Sequence, residues 1–137
     1  MRKKVIIDCD VGVDDALALI LGFHSPEIEI VGISGVNGNV SLDKVMRNIQ
    51  RVLALIQPAK HPFVARGADR PLKGERVFSE HVHGEDGLGR SRIQPSAGEQ
   101  WWNPSAAPAP EFLIQMASGH PGEISLVAIG PLTNLAL

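Results

Sequence analysis

Apolar residues along this chain fall into short runs and one long stripe, separated by clusters of glycine, proline and asparagine. Lys4-Val5-Ile6-Ile7 is a β-branched run without polar alternation, the pattern of a strand buried on both faces. Ala16 to Leu21 are good helix formers, and that helix should end near Ser25-Pro26. Ile28 to Ile33 reads as a second strand. Leu42, Val45, Met46, Ile49, Val52, Leu53 and Ile56 then recur at three- and four-residue steps. That stripe predicts an amphipathic helix with Ser41 as N-cap and Pro58 as its stop, and Met46 as core filler. Pro62 to Ala65 is a third short strand, closed by Arg66-Gly67. From residue 68 to about 109 no period is sustained, and a loop longer than ~15 residues is usually functional or disordered. Trp101-Trp102 read as packing residues that anchor this loop. Pro110 suits the first turn of a helix through Met116, with Gly119 placed to cap it. Ile124 to Ile129 is a fourth strand, and a last helix begins at about Leu132.

This order, βα-βα-β-loop-αβ-α, predicts the α/β class: a mostly parallel, Rossmann-like open sheet with helices on both faces, in one domain over 1–137. Ligands of such sheets bind outside the carboxyl ends of the strands. Three polar stretches fall on that one edge: the turn Asp8 to Asp15 after strand one, Gly35 to Asn39 after strand two, and Gly130 to Asn134 after strand four.

The first of these stretches dominates the chemistry. Asp8, Asp10, Asp14 and Asp15 place four carboxylates within eight residues. They repel one another unless a cation or strong donors neutralise them. Gly12 frees the backbone for a tight turn, and Asp14 is the expected cap of the following helix. Oxygen ligands at this density suit a hard cation, Ca²⁺ or Mg²⁺, better than zinc. An EF-hand fails on register, since counting from Asp8 puts Val13 and Leu19 where its glycine and glutamate belong. Taken singly, each aspartate could be an ordinary cap or solvated loop residue. His81 and His83 stand beside Glu85 and Asp86, but no further nitrogen or sulfur ligand lies nearby to complete a transition-metal site.

Composition narrows the partners. The 137 residues are 44% hydrophobic but only 4% aromatic, so the core must be aliphatic. A formal charge of −2 without a basic run argues against nucleic acid. Cys9 is the single cysteine, which rules out an intrachain disulfide and suits a reducing compartment. Met1-Arg2-Lys3-Lys4 has the charge of a signal n-region, yet only Val5-Ile6-Ile7 follow, too few for a signal sequence or a membrane span. A cytoplasmic location is expected.

Asp8-Cys9-Asp10-x-Gly12-x-Asp14-Asp15-Ala16 resembles the N-terminal signature of the inosine–uridine-preferring nucleoside hydrolases. Val36-Asn37-Gly38-Asn39, His83-Gly84-Glu85-x-Gly87 and Gly130-x-Leu132-Thr133-Asn134 extend the likeness over nearly the whole chain. Val11 departs from it, since the family usually has proline there. The resemblance implies cleavage of the N-glycosidic bond of ribonucleosides to free base and ribose, with Ca²⁺ as cofactor. It makes Asp10 both metal ligand and general base, Asp15 a second metal ligand, and the Ile129 carbonyl a third contact. Asp14 would grip ribose, Asn39 would contact the sugar, and His83 would lie near the nucleobase. Asp8 reads as a structural hydrogen-bond acceptor. The resemblance also implies a homo-oligomer and members roughly twice this length, whose later half adds a calcium-binding aspartate and a histidine near the leaving base. The 137-residue chain alone is therefore expected to self-associate and to lack turnover.

Two other readings compete. Asp8-x-Asp10-x-Gly12 after an apolar strand also resembles the opening motif of haloacid-dehalogenase-type phosphatases, with Asp8 as phosphoryl-accepting nucleophile and Asp10 as its acid/base partner. The Asp14-Asp15 pair lies too early for that family's second acidic pair. A non-catalytic calcium-binding remnant or subunit partner of a hydrolase is the other reading.

Overall fold

The computed structural model describes residues 2–94, 98 and 100–137; Met1 of the basic start and part of the long loop lie outside the described residues. The elements are β1 (Lys3–Cys9), α1 (Val13–His24), β2 (Ile28–Gly35), α2 (Leu42–Ile56) and β3 (Phe63–Arg66). They continue with α3 (Glu80–His83), β4 (Asn103–Pro104), α4 (Ala109–Gly119), β5 (Ile124–Ala128) and α5 (Thr133–Ala136). The strands form one parallel sheet in the order β4-β3-β2-β1-β5.

The alternation of side chains along β1 explains the layering. Val5, Ile7 and Cys9 face one side, where they join Leu19 of α1 and Val45, Ile49, Val52 and Leu53 of α2. Ile6 faces the other side and packs with Ala109, Phe112 and Leu113 of α4. Helices therefore cover both faces, as the unalternated apolar run of β1 requires. Trp101 and Trp102 pack against the first of these cores, in the anchoring role expected of them.

The long loop departs from expectation in two places. It carries the single turn of α3, and the two-residue β4 pairs Asn103 and Pro104 with Phe63 and Val64. Proline is tolerated in β4 because the strand lies at the sheet edge. At the opposite edge, β5 stops at Ala128, so Ile129 falls in the turn that follows it. Leu126 and Val127 of this edge strand are both exposed. Among the described residues, no helix is long and apolar enough to cross a membrane.

Candidate active site at the carboxyl edge of the sheet

The acidic turn splits into three buried carboxylates, Asp8, Asp10 and Asp15, and one exposed one, Asp14. Asp8 is the last polar residue inside β1 and is fully buried. Its Oδ1 accepts hydrogen bonds from the Ser34 hydroxyl of β2 and from Asn134 Nδ2 at 2.8 Å. Asn134 also takes the Ala68 N–H on its Oδ1 at 2.8 Å and gives its Nδ2 to the Gly35 carbonyl at 3.2 Å. Asp8 thus clamps the ends of β1, β2 and α5 together. Burial pushes its carboxyl above the usual carboxylate range, although the Asn134 and Ser34 donors pull it back. A side chain so enclosed has no room to attack a phosphoryl group, so the phosphatase reading loses its nucleophile.

Asp10 and Asp15 are buried as well, at 6% and 3% exposure. Asp10 Oδ2 accepts the Asn39 N–H at 2.7 Å, which ties the turn after β1 to the turn after β2. Asp15 lies in the first turn of α1 and accepts the Gly12 N–H at 2.9 Å. Asp15, rather than Asp14, therefore caps this helix, because N-cap Gly12 has no side chain and the third helical residue can reach back. Burial pushes the Asp15 carboxyl up to about 7 despite that N–H, reinforced by the charges of Asp10 and Asp14. Among the described residues, neither Asp10 nor Asp15 has a cationic side chain in an ion pair.

Gly12 is the point on which the remaining candidates converge. A Cβ there would stand 2.7 Å from both Asn39 Nδ2 and His83 Nδ1, so only glycine lets these side chains close over the turn. His83 Nδ1 accepts the Val13 N–H at 3.2 Å, one of the unpaired donors at the start of α1. Asp14 points outward with its side chain 79% exposed, 3.8 Å from His83 Nδ1. Ile129 comes to the same edge through its N–H, which donates to the Asp8 carbonyl at 2.9 Å. The structure thus brings Asp10, Asp14, Asp15, Asn39 and His83 around one turn, with the Ile129 backbone beside them.

Fit to a cation rests on the pair Asp10 and Asp15. Among the described residues, no cluster of three or more His, Cys, Asp or Glu side chains is arranged to hold a metal ion. Two buried carboxylates without a counter-charge nevertheless form an oxygen donor set that a hard cation would relieve. The site fits such an ion as a partial cradle.

Two residues absent from the sequence reading fasten the loop that carries His83. Asn48 and Arg51 of α2 are buried polar residues on the stripe between Val45 and Val52. A polar residue at a stripe position was the available signal. Arg51 Nη1 reaches Asp86 Oδ2 at 3.2 Å, and Asp86 Oδ1 accepts the N–H groups of Leu88 and Arg90 at 3.0 and 2.9 Å. Burial raises the Asp86 carboxyl, but the Arg90 and Leu88 N–H groups and the Arg51 guanidinium outweigh it and hold the carboxyl below its ordinary 3.8. A carboxyl depressed in the folded state contributes stability that is complete above its unfolded pKa and is lost as pH falls through the folded one. Amide resonances of Leu88 and Arg90 should therefore titrate together with a midpoint below 3.8, followed by NMR. A midpoint at or above that value would mean that the loop is not held by an ionised Asp86.

The model of the family described as "Inosine-uridine preferring nucleoside hydrolase" matches residues 5–137. The chain belongs to that family. Curated relatives include "Uridine nucleosidase 1" of Arabidopsis thaliana, 42% identical over 99% of this chain and 39% of that protein. "Pyrimidine-specific ribonucleoside hydrolase RihA" of Salmonella arizonae is 39% identical over 100% of this chain and 42% of its own length. Among solved structures, a "Purine-Preferring Ribonucleoside Hydrolase from Gardnerella vaginalis" aligns with a TM-score of 0.83 at 31% identity, covering 98% of this chain and 42% of that one. The chain spans about two fifths of the length of these family members. The α/β class with a parallel sheet, expected from the strand and helix order, is observed, and the solved neighbour carries the nucleoside hydrolase fold that the resemblance implied.

Proposed function

We propose that this chain forms a single α/β domain that carries the sugar- and calcium-binding side of a ribonucleoside hydrolase. The reaction would split the N-glycosidic bond to free base and ribose. One observation carries the reading: Asp10 and Asp15 lie buried in the turn from β1 into α1, Asn39 and His83 close over Gly12 beside them, and Asp14 stands 3.8 Å from His83 Nδ1. In this assignment Asp10, Asp15 and the Ile129 carbonyl would hold calcium. Calcium, when bound, supplies the positive charge that orients and acidifies the attacking water.

The chain's own groups do the rest. The Asn39 N–H fixes the Asp10 carboxylate, which takes the proton of the water as general base. Asp14, exposed and acceptor-only, receives the hydroxyls of ribose, and its charge favours the cationic sugar of the transition state. Asn39 adds a sugar contact through its amide. His83, held with Nδ1 on the Val13 N–H, turns its other ring edge to the nucleobase. A homo-oligomer in the cytoplasm, with neither nucleic acid nor membrane as partner, accords with this reading and with a formal charge of −2.

The test is base and ribose release from uridine and inosine in phosphate-free buffer with calcium, using the protein as its gene encodes it. Base and ribose should appear in equal amounts, and p-nitrophenyl phosphate should be left intact. Phosphate release without nucleoside cleavage would overturn the assignment.

A further inference from the structure

The geometry points to Arg51 and Asn48 of α2 as positioning residues that hold His83 and the acidic turn in register across Gly12. This inference rests on the proposed role of His83 at the nucleobase. Arg51 is only 5% exposed, and every one of its nitrogens is engaged. Nε donates to the Ile93 carbonyl at 2.7 Å, and Nη2 donates to the Ser91 carbonyl at 2.6 Å and its hydroxyl at 3.2 Å. Nη1 donates to Asp86 Oδ2 at 3.2 Å and to Asn48 Oδ1 at 3.3 Å. One guanidinium therefore gathers residues 86, 91 and 93 of the segment that leaves His83.

Asn48 carries the restraint to the acidic turn. Its Nδ2 donates to the Asp86 carbonyl at 2.8 Å and to the Val11 carbonyl at 3.3 Å. Val11 stands between Asp10 and Gly12, so a single amide spans the His83 segment and the catalytic turn. Gly87 makes the approach feasible: its φ is +82°, and a Cβ there would fall 2.8 Å from Asn48 Nδ2. The segment then folds back on itself, with the Gly89 N–H donating to the His83 carbonyl at 2.7 Å. Leu88 is buried in the core beneath. The segment is also tied at its start, where the Ser79 N–H donates to the Asn39 carbonyl at 2.8 Å, and by Lys44, which bonds Glu80 and the Glu85 carbonyl from a partly exposed position. Exposed pairs of that kind constrain little. Lysine cannot copy the fork of Arg51, because a single ammonium has neither its planarity nor its five donors.

Two readouts separate positioning from mere support of the fold. The first is hydrogen exchange at the Val13 amide, whose bond to His83 reports the register directly and needs no activity. In Arg51→Lys, Val13 exchange should rise about tenfold while the amides of Ile7 and Ile33 stay protected. The second is a double-mutant cycle on uridine cleavage. Arg51→Lys should lower kcat/KM about tenfold in the parent protein but less than twofold when His83 is already alanine. Asp86→Asn, which keeps side-chain size, should give the same pattern with smaller amplitude, and it decides the matter if Arg51→Lys fails to fold. Unchanged Val13 exchange, or Val13 and sheet amides released together, would overturn the inference. If Val13 is released selectively but no nucleoside is cleaved, the positioning stands and only the role of His83 at the base falls.

Discussion

Replacing Asp10 by asparagine should lower kcat for ribose release from uridine or inosine by about 10²-fold or more, the usual cost of losing a general base. The amide keeps the size of the carboxylate, and its oxygen can still accept the Asn39 N–H that now holds Asp10 at 2.7 Å. What would disappear is the proton affinity of the proposed base and one negative charge at the proposed calcium site. Because the loss belongs to the transition state, kcat and kcat/KM should fall together. A variant with reduced affinity but intact kcat would reassign the base to another residue. Asp8 is the poorest alternative, since it is enclosed by Ser34 and Asn134.

Calcium should stabilise the folded protein by about 2.7 kcal/mol at a hundredfold excess over its Kd, and Asp15→Asn should abolish that gain. The same substitution should leave the calcium-free protein as stable as before, or more stable, at pH 8. The sign follows from the carboxyl's shift from 3.8 to about 7. A carboxyl raised in the folded state costs nothing below its unfolded pKa; the cost grows between the two values and is complete above the folded one. Asparagine removes that cost yet still offers an oxygen to the Gly12 N–H. Melting scans at pH 8 with calcium and with chelator, on both proteins, check the pair of signs. An equal calcium shift in parent and variant would exclude Asp15 from the site.

Much of the architecture was legible because parallel strands buried on both faces write themselves as unalternated runs. Val5 to Ile7 is such a run, Ile28 to Ile33 was marked by its isoleucines and valine, and α2 declared itself by its period. The short elements α3 and β4 were not legible, since four and two residues carry no period and these are held by distant partners. For β4 the partner is β3, some forty residues earlier in the chain. In the site, residue types and spacing pointed to the acidic turn but could not say which aspartate faced inward. Helix phase decides that: residue 15 turns to the core and residue 14 to solvent, which moved the cap from Asp14 to Asp15. Asn48 and Arg51 stayed hidden because a stripe of apolar residues invites reading every polar neighbour as solvated.

A crystal of the gene-encoded protein soaked with calcium and ribose tests the central assignment most directly. Density for the ion should lie between Asp10 and Asp15, bonded to oxygens of both and to the Ile129 carbonyl at about 2.3–2.6 Å. Ribose hydroxyls should rest on Asp14 and Asn39. Calcium bound elsewhere, with Asp10 and Asp15 still held only by the Asn39 and Gly12 N–H groups, would contradict the account.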